Sequence, residues 1–107
     1  MPASHVLVID DSVLMTEFAA DVLEQAGYRV SASDDPRAAL DQIDRRRPDI
    51  VLVDADMPGL SGLEVLRMIR AVPALAALPV ILMERQTRQD LVGRVRRALT
   101  APAAFAA

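Results

Sequence analysis

Cysteine, lysine and tryptophan are absent from the 107 residues, and the aromatics are limited to Phe18, Tyr28 and Phe105. Without cysteine there is no disulfide, no thiol redox chemistry and no Cys-ligated zinc, which fits a reducing cytosol. Without lysine, P-loop NTPase, Schiff-base and Ser-Lys chemistry are excluded. So few aromatics argue against a base-stacking nucleic-acid surface. A net charge of −3 gives no bias toward polyanions. Long hydrophobic runs are missing too. The longest uncharged apolar stretch, 71–83, contains Pro73 and Pro79 and is too short to span a bilayer. The start at Met1 to His5 lacks a basic targeting region. The expectation is a soluble, cytoplasmic protein with no membrane and no nucleic-acid partner.

What is present is 52% hydrophobic and 25% charged, a balance that folds. All twelve basic residues are arginine. The length suits a single domain over 1–107, with an Ala-rich tail, 100–107, expected to fray.

Apolar runs alternate with helical spacing. His5–Asp10 reads as a buried strand ending in acid, and Val13, Leu14, Phe18, Val22, Leu23 and Ala26 then share one helical face before Gly27. Tyr28–Ser33 is a second strand. Asp34-Asp35-Pro36 starts a second helix, with Ala38, Ala39, Leu40 and Ile43 facing inward. Asp49–Asp54 is the clearest strand. The stretch 55–62 must be a loop, because it holds Pro58, Gly59 and Gly62. Ser61 can cap a third helix with Leu63, Leu66 and Met68 or Ile69 inward, Val80–Met83 is a fourth strand, and Arg88–Leu99 is a last helix. The order β-α-β-α-β-α-β-α requires a parallel open α/β sheet with right-handed crossovers. Ligands in such sheets bind beyond the carboxyl ends of the strands, at a switch in strand order.

That rule turns three acids into a site. Asp10 and Asp11 end strand one and Asp54 ends strand three, so neighbouring strands would gather three carboxylates. Like charges so close must share a proton or bind a divalent cation. An all-oxygen ligand set with no cysteine favours Mg²⁺ or Mn²⁺. The alternative is that each acid merely caps a helix or ends a strand, since Asp-Ser before a helix is ordinary capping.

On the residues Val-Leu-Val-Ile-Asp10-Asp11-Ser12 and Asp54-Ala-Asp56-Met57-Pro58-Gly-Leu-Ser-Gly62, the sequence resembles the receiver domain of two-component response regulators. The likeness runs from about His5 to Met83. It implies a flavodoxin-like three-layer fold, with Asp54 as a phosphoacceptor served by a histidine kinase or phosphotransfer protein. It also implies Mg²⁺ held by Asp11 and Asp54, by Asp10 through water, and by the main-chain carbonyl of Asp56. Met57, Pro58 and Gly62 would shape the loop holding that carbonyl.

The sequence departs from the receiver pattern at the remaining positions. Glu84 stands where receivers carry Ser or Thr after strand four, and the Lys of strand five is missing. The switch aromatic of strand five is absent as well, and the last helix arrives too early. We infer that one β-α unit has been lost, leaving about four strands. A competing register would align 98–102 with the family's Lys-Pro segment, placing Ala101 at the lysine position. Helical spacing over 88–99 favours the first register, which leaves Glu84 at the lysine position too.

Without the lysine, phosphoryl charge would be stabilised mainly by metal, and Glu84 is expected at the surface. A charge-assisted contact to phosphate contributes ~1.5–3 kcal/mol, so its loss should weaken signalling more than metal binding. The chain is thus expected to be a stand-alone, non-enzymatic phosphoacceptor acting on a downstream protein target. The runner-up is a pseudo-receiver that binds proteins without phosphorylation. Asp54-Ala-Asp56 also resembles the nucleophile motif of haloacid-dehalogenase phosphatases, but the other motifs of that family are not recognisable. Loss of a strand should expose the strand-four edge and favour a homodimer through Val80–Met83 and the last helix. His5 reads as incidental. The arginines at 85, 88, 94, 96 and 97 read as a solvated helix face.

Overall fold

Residues 6–9 and 50–53 are uninterrupted aliphatic runs because both faces of their strands are covered. The computed structural model describes residues 3–84 and 87–101. The elements are β1 (His5–Ile9), α1 (Val13–Gln25), β2 (Arg29–Ser33), α2 (Ala39–Arg46), β3 (Ile50–Asp54), α3 (Gly62–Arg70), β4 (Val80–Met83) and α4 (Leu91–Thr100). Short 3₁₀ turns at Pro36–Ala38, Pro73–Leu75 and Thr87–Asp90 precede α2, β4 and α4.

All pairings are parallel, in the order β2-β1-β3-β4. The expected four-stranded, three-layer, flavodoxin-like sheet is therefore present. Along β1 and β3 successive side chains enter opposite layers. Leu7, Ile9, Val51 and Val53 pack with α2 and α3 residues such as Ile43, Val65 and Ile69. Val6, Val8, Ile50 and Leu52 pack with Ala19 and Leu23 of α1 and with Leu91 and Val95 of α4. The chain order reverses between β1 and β3, and the carboxyl ends of those two strands define the crevice.

α4 supports the preferred register. It lies with α1, on the face opposite α3. A right-handed crossover continuing from β4 in the direction of β3 to β4 would keep its helix on the α3 face. A helix on the other face does not serve such a crossover, which accords with a lost β-α unit. Ala101 follows α4 as its extended C-terminal cap and belongs to no strand.

Two inward faces differ from the sequence pattern. In α1 the buried positions are Ala19 and Leu23, whereas Val13, Leu14 and Phe18 are 63%, 78% and 41% exposed and Ala26 is also outside. In α3 the core takes Val65 and Ile69 and leaves Leu63 out. Both helices carry apolar residues around more than half of their circumference. Periodicity alone therefore admits two faces, and packing on the sheet selects one. The tail beyond residue 101 and Arg85 lie outside the described residues.

Candidate functional site

Asp10 is the first residue beyond β1 and Asp54 the last of β3, and the register pairing Ile9 with Val53 sets them side by side. Both are buried, while Asp11 is exposed. One carboxylate oxygen from each of Asp10, Asp11 and Asp54 lies within 4.8 Å of the other two. The expected convergence is what the structure has.

Local geometry holds these groups. Asp10 Oδ1 accepts the Ser12 N–H at 2.9 Å, and Ser12 Oγ accepts the Met15 N–H at 3.3 Å to cap α1. Capping thus falls to Ser12, and the acid before it is not spent on the helix. Asp54 Oδ1 accepts the Asp56 N–H at 3.1 Å, which folds the loop back over the strand end. Met57 anchors that loop in the α2–α3 layer, and Pro58 is exposed beside Gly59, whose φ of +85° suits glycine. Gly62 is required by close approach: a Cβ there would overlap the Asp54 carbonyl oxygen and sit 2.8 Å from Ala55 Cα. Ser61 caps α3 by accepting the Glu64 N–H at 3.2 Å.

The electrostatics are strained on one side. Burial pushes the Asp10 carboxyl up to about 6 against the Ser12 N–H that holds it down, and the Asp54 charge adds to the rise. Asp10 Oδ2 is buried and accepts no hydrogen bond. A buried carboxylate oxygen without a donor, inside a three-carboxylate cluster, suits a hard divalent cation such as Mg²⁺ or Mn²⁺.

One residue was missed by sequence reasoning. Arg88, taken as part of a solvated helix face, sits in the turn before α4 and turns toward the acids. Its Nη2 is 3.7 Å from Asp54 Oδ1, and its Nε is buried without a hydrogen-bond partner. The site therefore contains a cation although the chain has no lysine, where the sequence reading expected none. The available signal was position, because Arg88 lies only a few residues past the carboxyl end of β4. The arginine does not close the site. A cavity of about 450 Å³ remains, lined by Asp54, Ala55, Asp56, Met83, Glu84 and Arg88. Glu84 is exposed on its rim, as expected.

Comparison with known proteins decides the family. The model of the response regulator receiver domain matches residues 6–101. The chain belongs to that family. The receiver is 35% identical over 81 residues to the polar-differentiation response regulator DivK of Brucella anthropi, covering 76% of this chain and 65% of DivK. It is 30% identical over 90 residues to the phosphate regulon regulator PhoB of Pseudomonas aeruginosa, covering 84% of this chain and 39% of PhoB. It spans only 18% of a matching protein-glutamate methylesterase of Anaeromyxobacter dehalogenans, so several relatives are much longer. Among solved structures, a putative response regulator of Chloroflexus aurantiacus superposes with TM-score 0.82 at 25% identity, covering 92% of this chain and 99% of that one. Response regulator TrrA of Thermotoga maritima, solved with Mg²⁺ and beryllofluoride, gives TM-score 0.69 at 30% identity over 85% of this receiver and 79% of TrrA. The receiver is thus a module of two-component signalling, and the phosphatase alternative gives way to it. Among the described residues no helix is long and apolar enough to cross a membrane.

Proposed function

We propose that this receiver is a phosphoacceptor. Asp54 takes a phosphoryl group from a histidine kinase or phosphotransfer protein in a Mg²⁺- or Mn²⁺-dependent step, and output passes to a protein target in the cytoplasm. The observation that carries this reading is the gathering of Asp10, Asp11 and Asp54 around a buried, unpartnered Asp10 Oδ2. Asp11 and Asp54 would hold the cation directly, Asp10 through water, and the Asp56 carbonyl would complete the protein ligands. The cation offsets negative charge on the attacking carboxylate and on the phosphoryl oxygens.

In the transfer, an Asp54 carboxylate oxygen gives an electron pair to phosphorus. The O–P bond forms, the P–N bond of the donor phosphohistidine breaks, and that electron pair returns to the imidazole nitrogen. The outcome is a modified Asp54 rather than a turned-over substrate, so the chain acts as a switch and not as an enzyme. The exposed apolar residues Val13, Leu14 and Phe18, on the helix that starts beside the acids, suit a protein donor. The same proposal includes one domain over 1–107 and a homodimer through β4, an outer strand of the described sheet, and α4.

Incubation with acetyl phosphate and Mg²⁺ followed by mass spectrometry tests the reading. One phosphoryl adduct is expected on Asp54, lost in Asp54→Asn and with EDTA. Its absence in the wild-type chain leaves the pseudo-receiver reading, which the exposed carboxylate of Glu84 at the hydroxyl position favours.

A further inference from the structure

We propose that Arg88 is the phosphoryl-oxygen clamp of this receiver and the lever that passes the state of Asp54 to α4. This rests on the phosphoacceptor reading above and adds to it a residue, an element and a direction of transmission. Three observations converge on Arg88.

The first is its bonding. At 3.7 Å the guanidinium is an ion-pair partner of Asp54 but is beyond hydrogen-bond distance, so the N–H facing it is unspent. Its Nε–H is buried with no acceptor among the described residues. Asp10 Oδ2, the other unpartnered buried atom among the described residues, is an acceptor without a donor. One site thus lacks a cation on its β1 side and an oxygen acceptor on its β4 side. A metal-bound phosphoryl group on Asp54 supplies both.

The second is space. The cavity of about 450 Å³ lies between Asp54 and the Arg88–Glu84 rim, and Asp10 and Asp11 do not line it. Oxygens added to Asp54 on that side meet the arginine. They also face the rim on which Glu84 lies.

The third is connectivity. Arg88 belongs to the turn Thr87–Asp90, and α4 begins at the next residue, Leu91. Asp90 pairs with Arg97 at 3.1 Å, and its carboxylate occupies the space where a Cβ on Gly93 would be, tying the turn to the first two turns of the helix. Leu91 and Val95 fix the other side of α4 in the α1 layer. When Arg88 exchanges a carboxylate partner for phosphoryl oxygens, the turn moves with it and α4 follows as one body. The outward Arg94, Arg96 and Arg97 then change position relative to the sheet. A chain lacking the strand-five lysine and switch aromatic thereby keeps a path from Asp54 to a surface.

The test uses the full chain with Mg²⁺ alone and with Mg²⁺ plus beryllofluoride, a phosphoryl mimic. Arg88→Ala is expected to bind Mg²⁺ at least as tightly as the wild type, because a cation competing for Asp54 is removed, and to weaken beryllofluoride binding by about ten- to a hundredfold. Arg88→Lys is expected to recover most of that loss. Beryllofluoride should change amide hydrogen exchange across residues 91–100 in the wild type and not in Arg88→Ala. Wild-type beryllofluoride affinity in Arg88→Ala overturns the clamp while leaving the phosphoacceptor reading intact. Joint loss of Mg²⁺ and beryllofluoride binding overturns it in favour of a structural role. Unchanged exchange in the wild-type α4 overturns the lever. Failure of the wild type to bind beryllofluoride with Mg²⁺ overturns the phosphoacceptor reading and the clamp together.

Discussion

At the amino-terminal edge of the sheet His5 is buried, and each of its polar groups is engaged. Its N–H donates to Asp49 Oδ2 at 2.7 Å, Nδ1 faces the Arg46 carbonyl at 3.2 Å, and Nε2 faces Ser31 Oγ at 2.7 Å. The carbonyl can only accept, so in the neutral ring the proton sits on Nδ1 and the Ser31 hydroxyl donates to Nε2. At the carboxyl-terminal edge Asp10 is more deeply buried, yet one of its oxygens has no partner and Arg88 Nε is orphaned nearby. The same sheet thus holds a completed polar cluster at one end and an incomplete one at the other. Completed clusters hold a fold together, whereas an incomplete one costs stability and persists where a ligand completes it.

Breaking the incomplete end should give the largest effect. Asp10→Asn is expected to lower Mg²⁺ affinity by about ten- to a hundredfold, measured by titration. The same substitution should raise the metal-free melting temperature near neutral pH. The folded-state pKa of Asp10 is raised from 3.8 to about 6, so its contribution to stability is fully present below about 4 and is lost as pH rises through 6. With EDTA, the wild type should lose stability relative to Asp10→Asn between pH 4 and pH 7. Added Mg²⁺ should reverse that order near neutrality. A pH-independent difference between the two proteins would show that Asp10 is not the titrating group.

Gly62→Ala attacks the backbone that shapes the same end. The new Cβ must displace the Asp54 carbonyl, at a cost of about 1–3 kcal/mol by chemical denaturation and with weakened Mg²⁺ binding. His5→Ala breaks the completed end instead. It leaves the Ser31 hydroxyl and the Arg46 carbonyl without their partner, while the backbone N–H of residue 5 still donates to Asp49, and should cost about 2 kcal/mol while Mg²⁺ affinity stays at the wild-type value. Equal damage to metal binding by His5→Ala and Asp10→Asn would erase the contrast between the two ends. The smallest effect is expected from Leu14→Ser, within about 0.5 kcal/mol, because that side chain is 78% exposed. A larger loss would mean that α1 uses the face first read from its periodicity.

Much of the fold was legible because strands buried on both faces are written as continuous aliphatic runs, and 6–9 and 50–53 are of that kind. The acid cluster followed from chain order, since parallel strands joined by helices bring their carboxyl ends to one edge. The inward faces of α1 and α3 were not legible, because Leu14 and Leu63 are as apolar as the Leu23 and Val65 that the core accepted. Nor does the sequence explain Gly93 in α4; the Asp90 carboxylate, which fills the space a Cβ would need, does. Arg88 was the main omission. Only its place a few residues past β4 distinguishes it from Arg94 or Arg96, since its role depends on a partner far away in the chain.

By itself, the sequence determined the order of the elements, the parallel sheet, the loss of the lysine and the edge at which Asp10, Asp11 and Asp54 meet. These follow from local patterns and from the few ways in which alternating strands and helices can connect. The tertiary structure alone decided which helix faces enter the core, that α4 joins α1, and that an arginine stands opposite Asp54. The reason is that packing and charge pairing depend on distances across the sheet, and those are set only when β1, β3 and β4 lie in register.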